Sequence, residues 1–288
     1  MSDFLAIDWG TSNRRVFLVD GDGRVVRTER DDLGSLAMKG RDWAAEVAGV
    51  RERFGDLPVL IAGMAGSTIG WREAAYVPVH ADAGELARGA LRIDARTAIV
   101  PGVCVNAERA DVMRGEETQL VGAVAAGLAP PDGLLAQPGT HNKWVRMERG
   151  GIADFRTVMT GALFGLLRKH SILAGQMAGE AEAGEAFDRG VEAARAGTLL
   201  ADLFGIRAGA LLGRLKAEDA VSYASGLLIG ADVAAGCAWS DAAEVWLLAG
   251  EPHASLYTRA LALHGRTATV VSSHDAFIAG ARLIQEHL

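Results

Sequence analysis

The chain holds only two cysteines, Cys104 and Cys237, far apart and outside any C-x-x-C spacing. A disulfide framework or a cysteine-built zinc site is therefore not expected. Positive charge is also short. Lys and Arg number 29 against 36 Asp and Glu, for a net charge of −7. With no basic tail or stripe, this balance argues against a general nucleic-acid binder, although a local Arg/Lys cluster could still serve a small anion. The seven histidines include no H-x-H or H-x-x-x-H pair. G-x-x-x-x-G-K-[ST] is absent, no G-x-G-x-x-G follows the first apolar run, and there is no G-x-S-x-G. These absences exclude a P-loop NTPase and count against a Rossmann dehydrogenase and an elbow-type hydrolase. MSDFLAIDWG carries no basic stretch ahead of an apolar one, so no signal peptide is expected. Ser222–Trp239, the most apolar stretch, is interrupted by Asp232 and several glycines and is not expected to span a membrane. A cytoplasmic location is the expectation.

What is present is a globular balance: 288 residues, 50% hydrophobic and 23% charged. That length suits two moderate α/β domains. Short β-type runs at 4–9, 14–20 and 24–30 precede a helix over 42–54, with Asp42 as its N-cap. Strands follow at 59–62 and 75–80, then a helix over 82–91, a strand at 97–100 and a helix over 116–127. Pro130-Pro131-Asp132-Gly133 marks the boundary between a domain at 1–130 and a second at 131–288. Beyond it the strand, strand, strand, helix order returns at 134–137, 143–148, 155–159 and 161–173. Residues 180–218 form a helical insertion. Strands at 245–249 and 268–272 flank a helix over 255–264, and a terminal helix from Asp275 is placed to pack back on the first domain. Each half thus opens on strand–turn–strand–strand–helix with Gly-Thr in its first turn, and two such halves around a cleft would set the turns opposite each other.

The first turn, Asp8-Trp9-Gly10-Thr11-Ser12-Asn13, gathers a carboxylate, two hydroxyls, an amide and backbone N–H groups at one point. That set suits a metal-bound phosphate: Asp8 for Mg2+, Gly10 for close backbone approach, and Arg15 to fork onto phosphoryl oxygens. A polar-tipped hairpin has the same composition. The second turn, Gln137-Pro138-Gly139-Thr140-His141-Asn142-Lys143, is composed to grip the other side of a polyphosphate, or is a routine loop with a solvated lysine.

Asp111, before the helix at 116, is the candidate base for an alcohol proton, with helix capping as its competing role. Arg114 either pairs with its acidic neighbours or holds a substrate carboxylate. Gly63–Val79 supplies Ser67, Trp71 and Arg72, a mixture fit for a polyol chain, with Trp71 equally suited to a core. Gly250, after the strand at 245, can lie against an adenine ring and ribose.

DWGTSNRR at 8–15, VPGV at 100–103, DVMRGEETQ at 111–119, PGTHNKWV at 138–145, MTGALFGLLRKHSIL at 159–173 and SYASGLLIGA at 222–231 together resemble the 2-dehydro-3-deoxygalactonokinase family. The likeness runs over about residues 4–285. It implies a two-domain actin-like ATPase (ribonuclease H-like) fold with a central cleft, related to the hexokinase/Hsp70 sugar kinases. The implied reaction is ATP-dependent phosphorylation of the C6 hydroxyl of 2-dehydro-3-deoxy-D-galactonate, a step in galactonate breakdown.

Carried over, Asp8, Gly10, Thr11, Ser12 and Arg15 fall on the first phosphate motif, with Asn13 in the same turn. Gly139 and Thr140 fall on the second, with Lys143 beside them. Gly250 falls on the adenosine motif, though Glu251-Pro252 follow where a second glycine is preferred. Asp111 takes the place of the catalytic aspartate. ATP and Mg2+ are the implied cofactors, and Arg114 or Arg72 would meet the substrate carboxylate. Closure of the domains would exclude water. No nucleic-acid or membrane partner is expected, and homodimerisation is left open. Two alternatives accompany this reading: a kinase of the same superfold acting on another sugar or sugar acid, and a non-enzymatic actin-like nucleotide switch.

Overall fold

The structure, a computed structural model, describes residues 2–288. It divides into two compact units. One comprises residues up to Asp132 with Arg146–Phe155 and Ser272–Leu288; the other comprises Gly133–Val145 and Arg156–Val271.

The first unit opens with β1 (Phe4–Trp9), β2 (Arg14–Val19) and β3 (Val25–Asp31). They pair antiparallel in sequence, Asp8 opposite Arg15. Helix α1 (Trp43–Phe54) starts at Asp42, whose carboxylate accepts from the Ala44 and Ala45 amides as its N-cap. Then come β4 (Val59–Gly63), a short 3-10 turn at Met64–Gly66, β5 (Tyr76–Pro78) and α2 (Ala83–Arg88). The chain continues through β6 (Leu91–Asp94), β7 (Thr97–Ile99), β8 (Gly102–Asn106), β9 (Ala110–Met113) and α3 (Glu116–Ala125). The main sheet runs β3-β2-β1-β4-β7-β6, and β5-β8-β9 make a smaller one. Strands β1, β4 and β7 are parallel. Leu5, Ile7, Val59, Ile61 and Ile99 bury the sheet against α1 through Val47 and Val50.

The second unit contains β10 (Gly133–Gln137), β11 (Asn142–Glu148) and β12 (Gly151–Val158), the distal part of the β11–β12 hairpin belonging to the first. Helices α4 (Thr160–His170), α5 (Glu185–Ala194), α6 (Leu199–Leu211) and α7 (Ala217–Trp239) follow. The unit closes with β13 (Glu244–Leu248), α8 (His253–Leu263) and β14 (Thr267–Val271). Its sheet runs β12-β11-β10-β13-β14, with β10, β13 and β14 parallel. With β6 set aside, this is the spatial order of the first sheet, so the repeated pattern in the sequence is a repeated topology. The terminal helix α9 (Ser273–Glu286), capped by Ser272, packs along α3 in the first unit.

One sequence expectation needs correction. The helix expected over 82–91 stops at Arg88, and Leu91 begins a strand, because Gly89 closes the last turn as the C-cap and glycine disfavours continuing the helix. The apolar stretch Ser222–Trp239 lies within α7, a continuous 23-residue helix. Its length and composition would fit a membrane span, but 72% of its most apolar window is buried inside the fold. Its glycines are contact points. A Cβ on Gly226 would lie 2.1 Å from the Phe187 carbonyl, and one on Gly236 would lie 2.4 Å from the Trp144 ring.

Candidate active site

The first turn is built by strand ends and braced from one side. The Gly10 amide donates to the Asn13 carbonyl at 2.9 Å, which closes the turn between β1 and β2. The Ser35 and Leu36 amides then donate to the Gly10 and Thr11 carbonyls. Gly34 rests directly on the turn: a Cβ there would stand 2.4 Å from the Thr11 carbonyl oxygen. Thr11 and Ser12 are exposed, and Asn13 is half-buried. Beneath them Arg14 is 1% exposed, ion-paired to Asp31 and Glu46 and lying over the Trp9 ring. At the edge, the Arg15 guanidinium donates to the Asp8 carboxylate. A rigid base therefore carries hydroxyls, amides and one ion pair at its rim.

The end of β4 and the start of α3 join this base through glycines. A Cβ on Gly63 would lie 2.6 Å from the Trp9 carbonyl oxygen, and one on Gly115 would lie 3.2 Å from Gly63 Cα. Ser67 Oγ donates to the Met64 carbonyl at 2.8 Å. Trp71 stacks on Trp43, which in turn packs on Trp9, so its ring joins the core and does not stand free. Arg72 is exposed and makes no ion pair among the described residues. Arg114 lies beneath Tyr76, with Cζ 4.4 Å from the ring centroid, and Nη2 donates to the Ala74 carbonyl. Its Nε and Nη1 are buried without an acceptor.

Asp111 lies within β9, paired with the Val105 position of β8. The N-cap of α3 is Gly115, so the capping role weighed for Asp111 is not the one it has. Arg109 approaches the Asp111 carboxylate at 3.6 Å and also binds Asp154. At the start of α3, Glu117 is fully buried and accepts from the Gly115 amide with both oxygens. Burial, aided by the Glu116 charge, raises its pKa to about 8, against the pull of backbone amides and Arg114.

In the second unit, the turn at Gly139–Thr140 is braced the same way. The Ala162 amide donates to the Thr140 carbonyl at 2.8 Å, and a Cβ on Gly161 would lie 2.4 Å from the Gly139 carbonyl. Thr140 and His141 are exposed, and a Cβ on Gly139 would meet nothing within 4 Å. Lys143 lies in β11 away from the turn's tip, 4% exposed, its ammonium donating to Thr157 Oγ1 at 2.7 Å. Beside the turn is a cavity of about 290 Å³ whose lining includes Gly139, Thr160, Phe164, Leu228, His253 and Tyr257. Gly250 is exposed two residues beyond the end of β13 and three before His253 opens α8.

Sequence reasoning passed over Gly34, Gly161 and Asp232. The two glycines follow no local rule, since each is required by a contact with a distant loop. Asp232 was visible only as a charge inside an apolar stretch.

Two units of matching sheet order, each with a braced glycine-bearing turn after its first strand, define a protein of the two-domain actin-like ATPase fold. The same fold is found in the Clostridium difficile activator of 2-hydroxyisocaproyl-CoA dehydratase, which is 9% identical with a TM-score of 0.52 over 99% of this chain and 95% of that one. It recurs in the polyphosphate/ATP-glucomannokinase of Arthrobacter sp. strain KM, 14% identical with a TM-score of 0.52 over the full length of both. Residues 8–284 match the 2-keto-3-deoxy-galactonokinase family, and the chain belongs to that family of phosphotransferases with an alcohol acceptor. The 2-dehydro-3-deoxygalactonokinase of Escherichia coli (strain K12) is 37% identical over 286 residues, covering 98% of this chain and 97% of that protein. A Sinorhizobium meliloti crystal structure described under the same enzyme name is 34% identical, with a TM-score of 0.92 over 98% of both chains. Membership of this kinase family sets aside the non-enzymatic switch.

Proposed function

We propose that the protein transfers the γ-phosphoryl group of ATP to the C6 hydroxyl of 2-dehydro-3-deoxy-D-galactonate. The observation that carries this reading is the pair of turns, Gly10–Asn13 and Gly139–Thr140. Each exposes hydroxyl-bearing residues, and each is held by a glycine that touches its backbone directly. Phosphoryl transfer draws most of its acceleration from positioning and charge neutralisation, which rigid amide-rich turns supply. Thr11, Ser12 and Asn13 would hold phosphate oxygens, as would Gly139 and Thr140, and Arg15 would meet the transferred group. The cavity next to Gly139 is lined mainly by apolar side chains and suits a nucleobase.

Asp111 accepts the proton as the C6 oxygen bonds to phosphorus and the bond to ADP breaks. Arg109 holds that carboxylate in place. Arg72, exposed and without an ion pair among the described residues, and Arg114, whose Nε and Nη1 lack an acceptor, are the two candidates to meet the substrate carboxylate. Magnesium fits the donor set. Asp8 offers one hard carboxylate, 15% exposed, and no group of three or more His, Cys, Asp or Glu gathers among the described residues. One carboxylate with phosphates and water completing the shell is the arrangement Mg2+ favours. Asp8 would hold the ion, which supplies charge neutralisation on the phosphates. A cytoplasmic location, where ATP is available, accompanies this reading.

The test is ADP release with and without sugar acid, across a panel of aldonic and 2-oxo-3-deoxy acids. Turnover should require the acid and be highest with 2-dehydro-3-deoxy-D-galactonate. Equal turnover without acid, or a clear preference for another acid, would overturn the assignment.

A further inference from the structure

Asp232 lies in the middle of α7 and is 1% exposed. Its carboxylate accepts four hydrogen bonds: from Trp144 Nε1 at 2.7 Å, Asn142 Nδ2 at 2.8 Å, Thr160 Oγ1 at 2.6 Å and Tyr257 OH at 2.6 Å. All four donors are neutral groups. A buried carboxylate is retained at low cost only when its oxygens are filled this fully, and each donor would lose this acceptor without it.

The donors come from elements that share one neighbourhood. Asn142 lies two residues beyond Thr140. Thr160 begins α4, whose next residues, Gly161 and Ala162, touch Gly139 and Thr140. Tyr257 and Thr160 both line the cavity, while Trp144 packs against Gly236 of α7. One buried side chain therefore stands directly behind the turn and the cavity wall, joined to both.

We infer that Asp232 is a positioning residue for nucleotide binding, fixing the Gly139–Thr140 turn, the start of α4 and α8 in the arrangement that receives ATP. This rests on the reading of that turn and cavity as the nucleotide site. Asparagine at the position would keep the shape but replace one acceptor oxygen by an NH2 group facing donors. Loss of a charge-assisted bond of this kind corresponds to about tenfold or more in affinity, read on whichever ligand depends on it.

The experiment compares KM for ATP and for the sugar acid in Asp232→Asn, Tyr257→Phe and Gly139→Val, with thermal melts alongside. Asp232→Asn should raise KM for ATP by about tenfold or more and leave KM for the sugar acid within about twofold. Tyr257→Phe removes one spoke and should move the same constant less, and it carries the test if Asp232→Asn does not fold. A lowered melting temperature with KM for ATP unchanged, or both constants rising together, would overturn the inference. A Cβ at Gly139 would meet nothing within 4 Å, so Gly139→Val is aimed at the ligand and tests the underlying reading by itself. If it leaves ATP binding intact, the turn is not a phosphate site and the inference falls with it. If it abolishes ATP binding while Asp232→Asn and Tyr257→Phe do not weaken it, the site stands and only the role of Asp232 is lost.

Discussion

Asp8 and Arg15 face each other across the β1–β2 hairpin, and the arginine donates directly to the aspartate carboxylate. The cross-strand register places the two residues proposed for the metal and the phosphoryl group in contact with each other. Because the pair is partly exposed, solvent screens it and its contribution to stability is small. Its consequence is functional. If Asp8 holds Mg2+ as proposed, the arginine competes with the ion for the carboxylate. Asp8→Ala is expected to lower kcat/KM for ATP by about 100-fold or more, as loss of a metal-holding and charge-placing group does. Arg15→Ala should also lower kcat, but it should reduce the magnesium concentration needed for half-maximal activity, since Asp8 is released. Magnesium titrations of both variants check this; an increased magnesium requirement in Arg15→Ala would contradict it.

Gly122 and Gly280 allow α3 and α9 to cross at backbone contact. A Cβ on Gly280 would stand 1.9 Å from the Thr118 carbonyl oxygen, and one on Gly122 would stand 1.8 Å from that of Ala276. Neither neighbour is a flexible side-chain tip that could swing away, so the helices would have to separate. Gly280→Ala is expected to cost about 3 kcal/mol, at the upper end of overpacking effects. Gly205→Ala, in α6 where a Cβ meets nothing within 4 Å, should instead gain about 0.5–1 kcal/mol. Urea unfolding of the two variants gives the comparison.

Glu117 sets a pH dependence whose direction follows from its burial. In the fold its pKa is raised to about 8, above the ordinary 4.5. Between those values the folded protein keeps a proton that the unfolded chain has released. Stability therefore falls as pH rises through this window, at up to about 1.4 kcal/mol per pH unit. Below the lower value both states are protonated and nothing is lost; above the upper value the loss is complete. Glu117→Gln cannot ionise and keeps an acceptor for the Gly115 amide. Its melting temperature relative to wild type should therefore climb between pH 5 and pH 8. A difference that is flat or falls over that range would show that Glu117 is ionised in the fold.

The sequence made local features legible and distant ones not. Asp42 capping α1 and the strands on either side of Gly10 and Gly139 are set by residues within a few positions, and they appear where their chemistry predicts. The same is true of the paired openings of the two halves. The β8–β9 hairpin was missed because its turn at 107–109 lacks the glycine or asparagine signal of a tight hairpin, so Asp111 looked like a helix flank. Lys143 read as a turn residue because nothing nearby announces that Thr157, 14 residues on, will take its ammonium. Asp232 is 90 residues from Asn142 and 72 from Thr160, and no periodicity reports a bond across such separations.

Asp111 gives the sharpest test of the chemistry. Its carboxylate lies on a strand, so its orientation is set by the β8–β9 ladder, and Arg109 holds one side of it. Asp111→Asn keeps size and polarity but removes the ability to accept a proton. If the aspartate takes the C6 proton, kcat should fall by about 10²–10⁴-fold. ATP affinity should change little, because the phosphates are assigned to the two turns and not to β9. The arginine supplies a control. Arg109→Gln loosens the carboxylate without removing it, so kcat should drop by a smaller factor than in Asp111→Asn. Measured kcat and ATP affinity for the two variants separate a proton acceptor from a carboxylate that only shapes the site: equal losses of kcat in both would assign Asp111 to structure.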